Sequence, residues 1–239
     1  PQLLMQAATP ALNEMRSAGN RARLAEATAA LTLAMLVVGG GVAAVVLAVN
    51  RAFVEWWVGP AQYTGTLVTV LLVVTMLVRH WNVTAIYGMF CFGHERLISI
   101  RNLVDGVLSV AAIAALVPAI GFAGVPLGSL LAVLAASLPW NLGTVARSLD
   151  LPVRALVGPL WPWLWRFLLF APASAAMAVV WSPQTFVQLA ATSAGVAGLY
   201  AAVMAWGLAN TPLGRYVRPR LAALWPGHQP VGAPAHPPL

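Results

Sequence analysis

Lysine is absent from this sequence, and only six carboxylates stand against thirteen arginines. Charged residues make up 8% of the chain, about a third of the share in a soluble domain. Charge this sparse excludes a nucleic-acid-binding domain, which needs a dense array of cations against phosphate. No nucleic acid is expected as a partner. The single cysteine, Cys91, rules out an internal disulfide and a cysteine-built metal cluster. His80, His94, His228 and His236 show no ligand spacing, so no metal is expected. Carboxylate dyads, nucleophile elbows and phosphate-binding loops are also missing, so the reading is of a protein without catalytic residues or cofactors.

What is abundant is apolar sequence: 60% of the residues are hydrophobic and the mean hydropathy is +0.82. A lipid bilayer is the solvent that suits such a chain, and each crossing requires about 20 apolar residues. The apolar stretches predict an all-α, polytopic membrane protein of about six transmembrane helices, over 27–49, 64–92, 103–120, 125–146, 160–181 and 186–208. Residues 1–26 read as a loop or the end of a preceding helix, 27–208 as the membrane domain, and 209–239 as an Arg- and Pro-rich tail. The tail's composition predicts disorder. Three consecutive glycines, Gly39 to Gly41, would break a helix in water but in lipid mark close helix packing. Pro139 is expected to kink the fourth span. Trp161, Trp163, Trp165 and Trp181 bracket the fifth as interfacial aromatics do.

Arginine placement gives an orientation. With six crossings and the start of the chain in the cytoplasm, Arg16, Arg21, Arg23, Arg96, Arg101, Arg147, Arg154, Arg215, Arg218 and Arg220 fall inside, and Arg51 alone falls outside. That bias predicts a multi-pass membrane protein with both ends cytoplasmic. The turn from Arg51 to Gln62 and those near Gly121 and Pro183 then face outward. The chain begins at Pro1 and has no signal peptide, so it is expected to lack an N-terminal part.

Two arginines remain within predicted spans. Arg166 lies about two turns from a cytoplasmic end and is expected to snorkel there. Arg79 lies deep, where a charge is costly unless it lines a cavity or finds a partner, and is the leading candidate for substrate contact. Its neighbours His80 and Asn82 are not expected to share one narrow face with it; Asn82 is kept as a second candidate. Arg101 with Asp105, and Glu95 with Arg96, read as pairs in loops and at helix ends, and Asp105 as hydrated. His94 and Glu95, adjacent in sequence, are the residues a membrane-embedded transferase would recruit.

Several stretches taken together resemble the polysaccharide flippases of the multidrug/oligosaccharidyl-lipid/polysaccharide exporter superfamily, of the O-antigen and teichoic-acid type. They are Pro10-Ala-Leu-Asn-Glu-Met-Arg-Ser-Ala-Gly19, Phe53-Val-Glu-Trp-Trp57-Val-Gly59 with Tyr63 and Gly65, then Asn82 and Gly93, then Arg101-Asn102-Leu103, and finally Gly121-Phe-Ala-Gly124-Val-Pro-Leu-Gly128. The likeness covers 1–208 and rests on the order and spacing of these pieces. It implies the ninth to fourteenth helices of a fourteen-helix transporter whose two lobes enclose a central cavity open alternately to either side. It further implies a polyprenyl-pyrophosphate-linked saccharide as substrate, with Arg79 the nearest match to the cavity cations, and the missing N-terminal lobe as a partner. The other readings of the residues are a drug/cation antiporter of the same superfamily, a transferase acting on polyprenyl lipids, and a non-catalytic membrane scaffold.

Overall fold

A computed structural model describes residues 2–208 with 211, 213 and 214. The tail expected over 209–239, with Arg215, Arg218 and Arg220, otherwise lies outside the described residues. Within them the chain is helical and no strand occurs. The segment read as a loop or the end of a preceding helix opens as a helix, α1 (Gln2–Ser17), that tolerates Pro10 inside it. Its apolar stripe explains this: Met5 and Leu12 are fully or almost fully buried against the following helices.

Helix α2 (Arg21–Trp57) is 37 residues long, roughly 55 Å, well beyond the 30 Å of a bilayer's hydrocarbon core. The uncharged stretch 27–49 is only its middle. At its start Asn20 caps the helix by accepting from the Arg23 amide at 3.0 Å. At its end Arg51 and Glu55, one turn apart, pair at 2.8 Å, so charges read as a turn in fact continue the helix. It stops at Gly59, whose φ of 97° only glycine adopts readily, followed by Pro60. Helices α3 (Thr66–Cys91) and α4 (Glu95–Ile120) follow.

At Gly121, with φ of 62°, the chain reverses through one tight turn into α5 (Gly124–Ala132). The two legs then lie backbone to backbone. A Cβ on Gly124 would sit 2.7 Å from the Leu116 carbonyl carbon, and one on Gly128 2.7 Å from the Ile113 nitrogen. Pro139, which has no N–H to donate, does not simply kink the fourth span. It follows a widened π-helical turn, Val133–Ser137, after which α6 (Leu138–Ser148) carries the same leg onward. Short α7 (Val153–Val157), α8 (Trp161–Val180) and α9 (Phe186–Leu208) complete the fold.

Five helical runs are long and apolar enough to cross a membrane: Arg21–Trp57, Thr66–Cys91, Glu95–Ser148, Val153–Val180 and Phe186–Gly207. The third is 54 residues long and is the one folded back at Gly121, so it supplies two legs. The architecture is therefore that of a helical protein compatible with repeated membrane crossing.

Helix α2 is the axis, touching α1, α3, α8 and α9. Its glycines carry the packing: Gly40 faces the Trp163 ring of α8 and the Tyr200 hydroxyl of α9, Gly41 faces the Tyr200 ring, and Gly39 faces Leu77 of α3. Trp163 Nε1 donates to Tyr200 Oη at 2.9 Å, satisfying both polar tips beneath that glycine face. Successive legs alternate in direction. Thr32 meets Thr84 and Asn50 meets Thr69 between α2 and α3, and Trp56 lies at a tilt to Phe186 between α2 and α9. One end of the body thus gathers Arg16, Arg21, Arg23, Arg96, Arg101, Arg147 and Arg154, tied together by an Arg21–Asp150 ion pair and a His94–Ser148 contact of 3.1 Å. The opposite end holds Arg51.

Candidate functional site

Three polar stripes converge in the otherwise apolar body. On α3, Thr75, Arg79 and Asn82 recur at i, i+4 and i+7, the spacing that puts side chains on one helix face. On α4, Arg101, Asp105 and Ser109 recur at i, i+4 and i+8. The third stripe is the leg running from α5 through the π turn into α6. Thr75 Oγ1 donates to the Pro126 carbonyl at 3.0 Å, binding α3 to α5.

Arg79 sits midway along α3, about 20 Å from either end of the helix. Its Nη1 donates to Asp105 Oδ2 at 3.0 Å, its Nε to Ser129 Oγ at 2.9 Å, and its Nη2 to Ser109 Oγ at 3.2 Å and the Ser129 carbonyl at 3.4 Å. The guanidinium therefore joins α3, α4 and α5 in one place. Its side chain is 37% exposed while that of Asp105 is 12% exposed, so the arginine side chain reaches a surface and the carboxylate does not. The second carboxylate oxygen, Oδ1, is buried and has no hydrogen-bond partner. A buried charged acceptor left open is costly unless something else occupies it.

This placement corrects the pairing expected from spacing. Asp105 is not a hydrated residue beside a helix end, because α4 begins at Glu95 and Asp105 lies about ten residues inside it. Nor does it pair with Arg101 one turn earlier. An Arg that precedes an Asp at i,i+4 is in the less favourable order for a helix pair, and tertiary partners prevail. Arg101 reaches across to α6 instead, where Nη1 donates to the Trp140 carbonyl at 2.9 Å, Thr144 Oγ1 at 2.9 Å and Asn141 Oδ1 at 3.2 Å. Glu95 and Arg96 form no ion pair among the described residues.

Asn82, the second candidate, does share a face with Arg79 but has its own partner. Its Oδ1 accepts from Asn141 Nδ2 at 2.9 Å, both amides are buried, and Asn141 is fully so. The two candidates belong to successive levels of one polar seam, Arg79 at mid-depth and Asn82 about a turn nearer the arginine-rich end. His80 turns away and contacts the Met76 carbonyl of its own helix at 2.6 Å. Arg166 donates to the Pro162 carbonyl at the arginine-rich end of α8, lies over the Trp165 ring at 4.3 Å and rests against Gly207.

No family model, curated protein or solved structure matches this chain. The site is therefore read from its chemistry alone.

The chemistry is that of ion-pair exchange. A guanidinium on a part-exposed side chain, held at mid-helix by a carboxylate and two hydroxyls, can accept an incoming anion if Asp105 yields. A carboxylate with an open oxygen can take a cation at the same point. No group of three or more His, Cys, Asp or Glu able to hold a metal occurs among the described residues. His94 is occupied by Ser148 and stacks on Phe92 with ring centroids 6.5 Å apart. Sequence reasoning singled out Arg79 and Asn82. It missed the seam, although the i, i+4, i+7 and i, i+4, i+8 polar spacings on successive helices were its signal.

Proposed function

We propose that the chain is the C-terminal lobe of an alternating-access transporter of a bacterial inner membrane, which flips or exports polyprenyl-pyrophosphate-linked saccharides. In this reading the arginine-rich end, and with it both ends of the membrane domain, lies in the cytoplasm. The observation that supports it best is the partial exposure of Arg79 at mid-helix. A cation facing acyl chains at that depth would cost about 2.5 kcal/mol or more, so this face of the seam lines water or another lobe rather than lipid. An anionic headgroup entering there would displace Asp105 from the guanidinium, which offers a bidentate fork to phosphate. The resemblance in order and spacing from Pro10 to Gly128 supplies the substrate class.

The test must separate a substrate contact from a structural pair. Arg79→Ala alone leaves the Asp105 charge stranded and confounds the two. The charge-balanced double variant Arg79→Ala/Asp105→Ala removes both partners. In a strain producing it at normal membrane levels, surface glycan is expected to disappear, whereas Arg79→Lys with Asp105 retained keeps part of the export. Normal surface glycan in a well-expressed double-variant strain would remove the pair from the mechanism.

Asp105 supports one second reading, a drug/cation antiporter. Such an exchanger needs an intramembrane carboxylate, and here a buried one has an open oxygen. Asp105→Asn cells that lose tolerance to cationic drugs while keeping their surface glycan would favour the antiporter over the flippase.

A further inference from the structure

A second cationic locus lies at the arginine-rich end of the same seam and takes no part in the reading above. Arg101 and Arg147 both donate to one neutral oxygen, Thr144 Oγ1, at 2.9 and 3.3 Å. Their guanidinium nitrogens are therefore at most about 6 Å apart, close enough for the like charges to repel, with water at the exposed Arg147 screening part of the repulsion. No carboxylate relieves them: the ion pairs among the described residues are Arg21–Asp150, Arg51–Glu55 and Arg79–Asp105. Thr144 cannot neutralise either cation, and its own proton goes to the Trp140 carbonyl at 2.9 Å.

The arrangement is built rather than accidental. Arg101 is drawn in by Asn141, whose carbonyl oxygen is aimed at it because the amide nitrogen is held by Asn82. Among the described residues Arg101 bonds through Nη1 alone, whose two N–H groups are shared among three oxygens and a Met89 sulfur contact at 3.7 Å, so no described residue accepts from its Nη2 or Nε. Arg147 uses Nη2 alone toward the described residues. Two convergent guanidinium groups with spare N–H donors and no acid form a receptor for a phosphate group. The surface beside it is apolar: Trp140, on the same face of α6 as Thr144 and Arg147, is 48% exposed, and Ile100, next to Arg101 on α4, is 50% exposed. A phosphate with hydrocarbon attached matches both halves.

We propose that Arg101 and Arg147 bind the headgroup phosphate of an anionic phospholipid, whose acyl chains lie along α4 and α6. Basic pockets between helices at the membrane surface take such headgroups. The inference rests on the membrane reading of the chain but on neither substrate nor transport activity.

The test uses the full chain in nanodiscs made from mixtures of phosphatidylglycerol and phosphatidylcholine, with co-purified lipid counted by native mass spectrometry. The wild type is expected to retain phosphatidylglycerol in preference, and Arg147→Gln to weaken that retention about tenfold, the loss of one charge-assisted phosphate contact. Arg147 is exposed at a helix end, so its variant should fold even if Arg101→Gln does not. Arg154→Gln, at the same end but outside the locus, should retain lipid like the wild type. Equal retention by wild type and Arg147→Gln overturns the proposal, as does an equal loss in Arg154→Gln. Displacement of the lipid by millimolar inorganic phosphate would show a free-anion site and overturn the lipid assignment. Failure of the wild type to enter nanodiscs at all would instead count against the membrane reading.

Discussion

Replacing Asp105 by Asn keeps the shape of the mid-helix site and removes one charge. The amide oxygen can still accept from Arg79 Nη1, so the loss is electrostatic rather than steric. Two unit charges about 4 Å apart attract by roughly 4 kcal/mol at an effective dielectric constant of 20. Breaking a fully buried pair typically costs about 3–5 kcal/mol because the survivor is stranded. Here the carboxylate is nearly enclosed and the Arg79 side chain is 37% exposed, so solvent recovers part of the cost. About 2 kcal/mol is therefore expected. For a chain of 239 residues this corresponds to a fall in Tm of about 4–8 °C, readable by thermal scanning of the detergent-solubilised protein. A double-mutant cycle with Arg79→Gln isolates the pair. If the ion pair acts as the geometry implies, Arg79→Gln/Asp105→Asn is more stable than the sum of the two single losses predicts, by about 1–3 kcal/mol. Strict additivity, or an unchanged Tm in Asp105→Asn, would refute the reasoning.

Three other outcomes follow from the packing. Gly40→Ala drives a methyl into the Tyr200 hydroxyl and to 3.2 Å from the Trp163 ring, so it should break the Trp163–Tyr200 bond and cost about 1–3 kcal/mol, seen as a lower Tm and altered tryptophan fluorescence. Gly128→Ala should cost as much or more, since the obstacle is the backbone at Ile113, whereas Gly106→Ala has nothing within 4 Å and should be neutral or slightly stabilising; equal Tm for both variants would contradict the close hairpin. Asn141→Ala strips Asn82 of its donor and Arg101 of an acceptor, and about 1–3 kcal/mol should be lost on thermal scanning, with an unchanged Tm arguing against the buried amide pair.

Helical class and the apolar centres of the helices were legible because lipid-compatible segments announce themselves by composition. Their ends were less so, for one recurring reason. Charges near the ends were read as breaks, yet Arg51 and Glu55 satisfy each other on α2, and Arg101 on α4 is satisfied by α6. A helix continues wherever its charges find partners, and those partners are invisible without the fold. Helix α1 was legible only as one of two alternatives, a loop or a helix end, because Pro10 and a polar composition masked the stripe of Met5 and Leu12 that buries it. The glycine run in α2 was legible as close packing, since only small side chains allow such approach, but nothing in the sequence said that Trp163 and Tyr200 would fill the space. Arg79 stood out as a costly charge. Its partner did not, because Asp105 lies 26 residues away on the next helix, and a nearer arginine offered a local match.

The distribution of polar contacts suggests where the body can change shape. Helix α4 buries only Ile98 and Asp105, and its close backbone contact is with α5 across the glycines of their hairpin. Its direct hydrogen bonds to α3 at mid-depth are those from Arg79 to Asp105 and Ser109. Helix α3 is fastened independently to α2 through Thr32–Thr84 and Asn50–Thr69, and to the far end of the leg through Asn82–Asn141. If an anion draws Arg79 off Asp105, α4 remains seated on α5 while losing its mid-depth tie to α3. Apolar side chains sliding in lipid gain or lose little, so a few charge-assisted bonds can decide between two arrangements there. Helix α5 stays on α3 through Thr75–Pro126, so in the transporter reading proposed above α4 is the helix whose tie to α3 a ligand at Arg79 would release. Bridging cysteines at Ser109 and Met76 with a reducible bifunctional reagent in a Cys91-free background would hold that tie closed, and export should cease in the crosslinked protein and return on reduction.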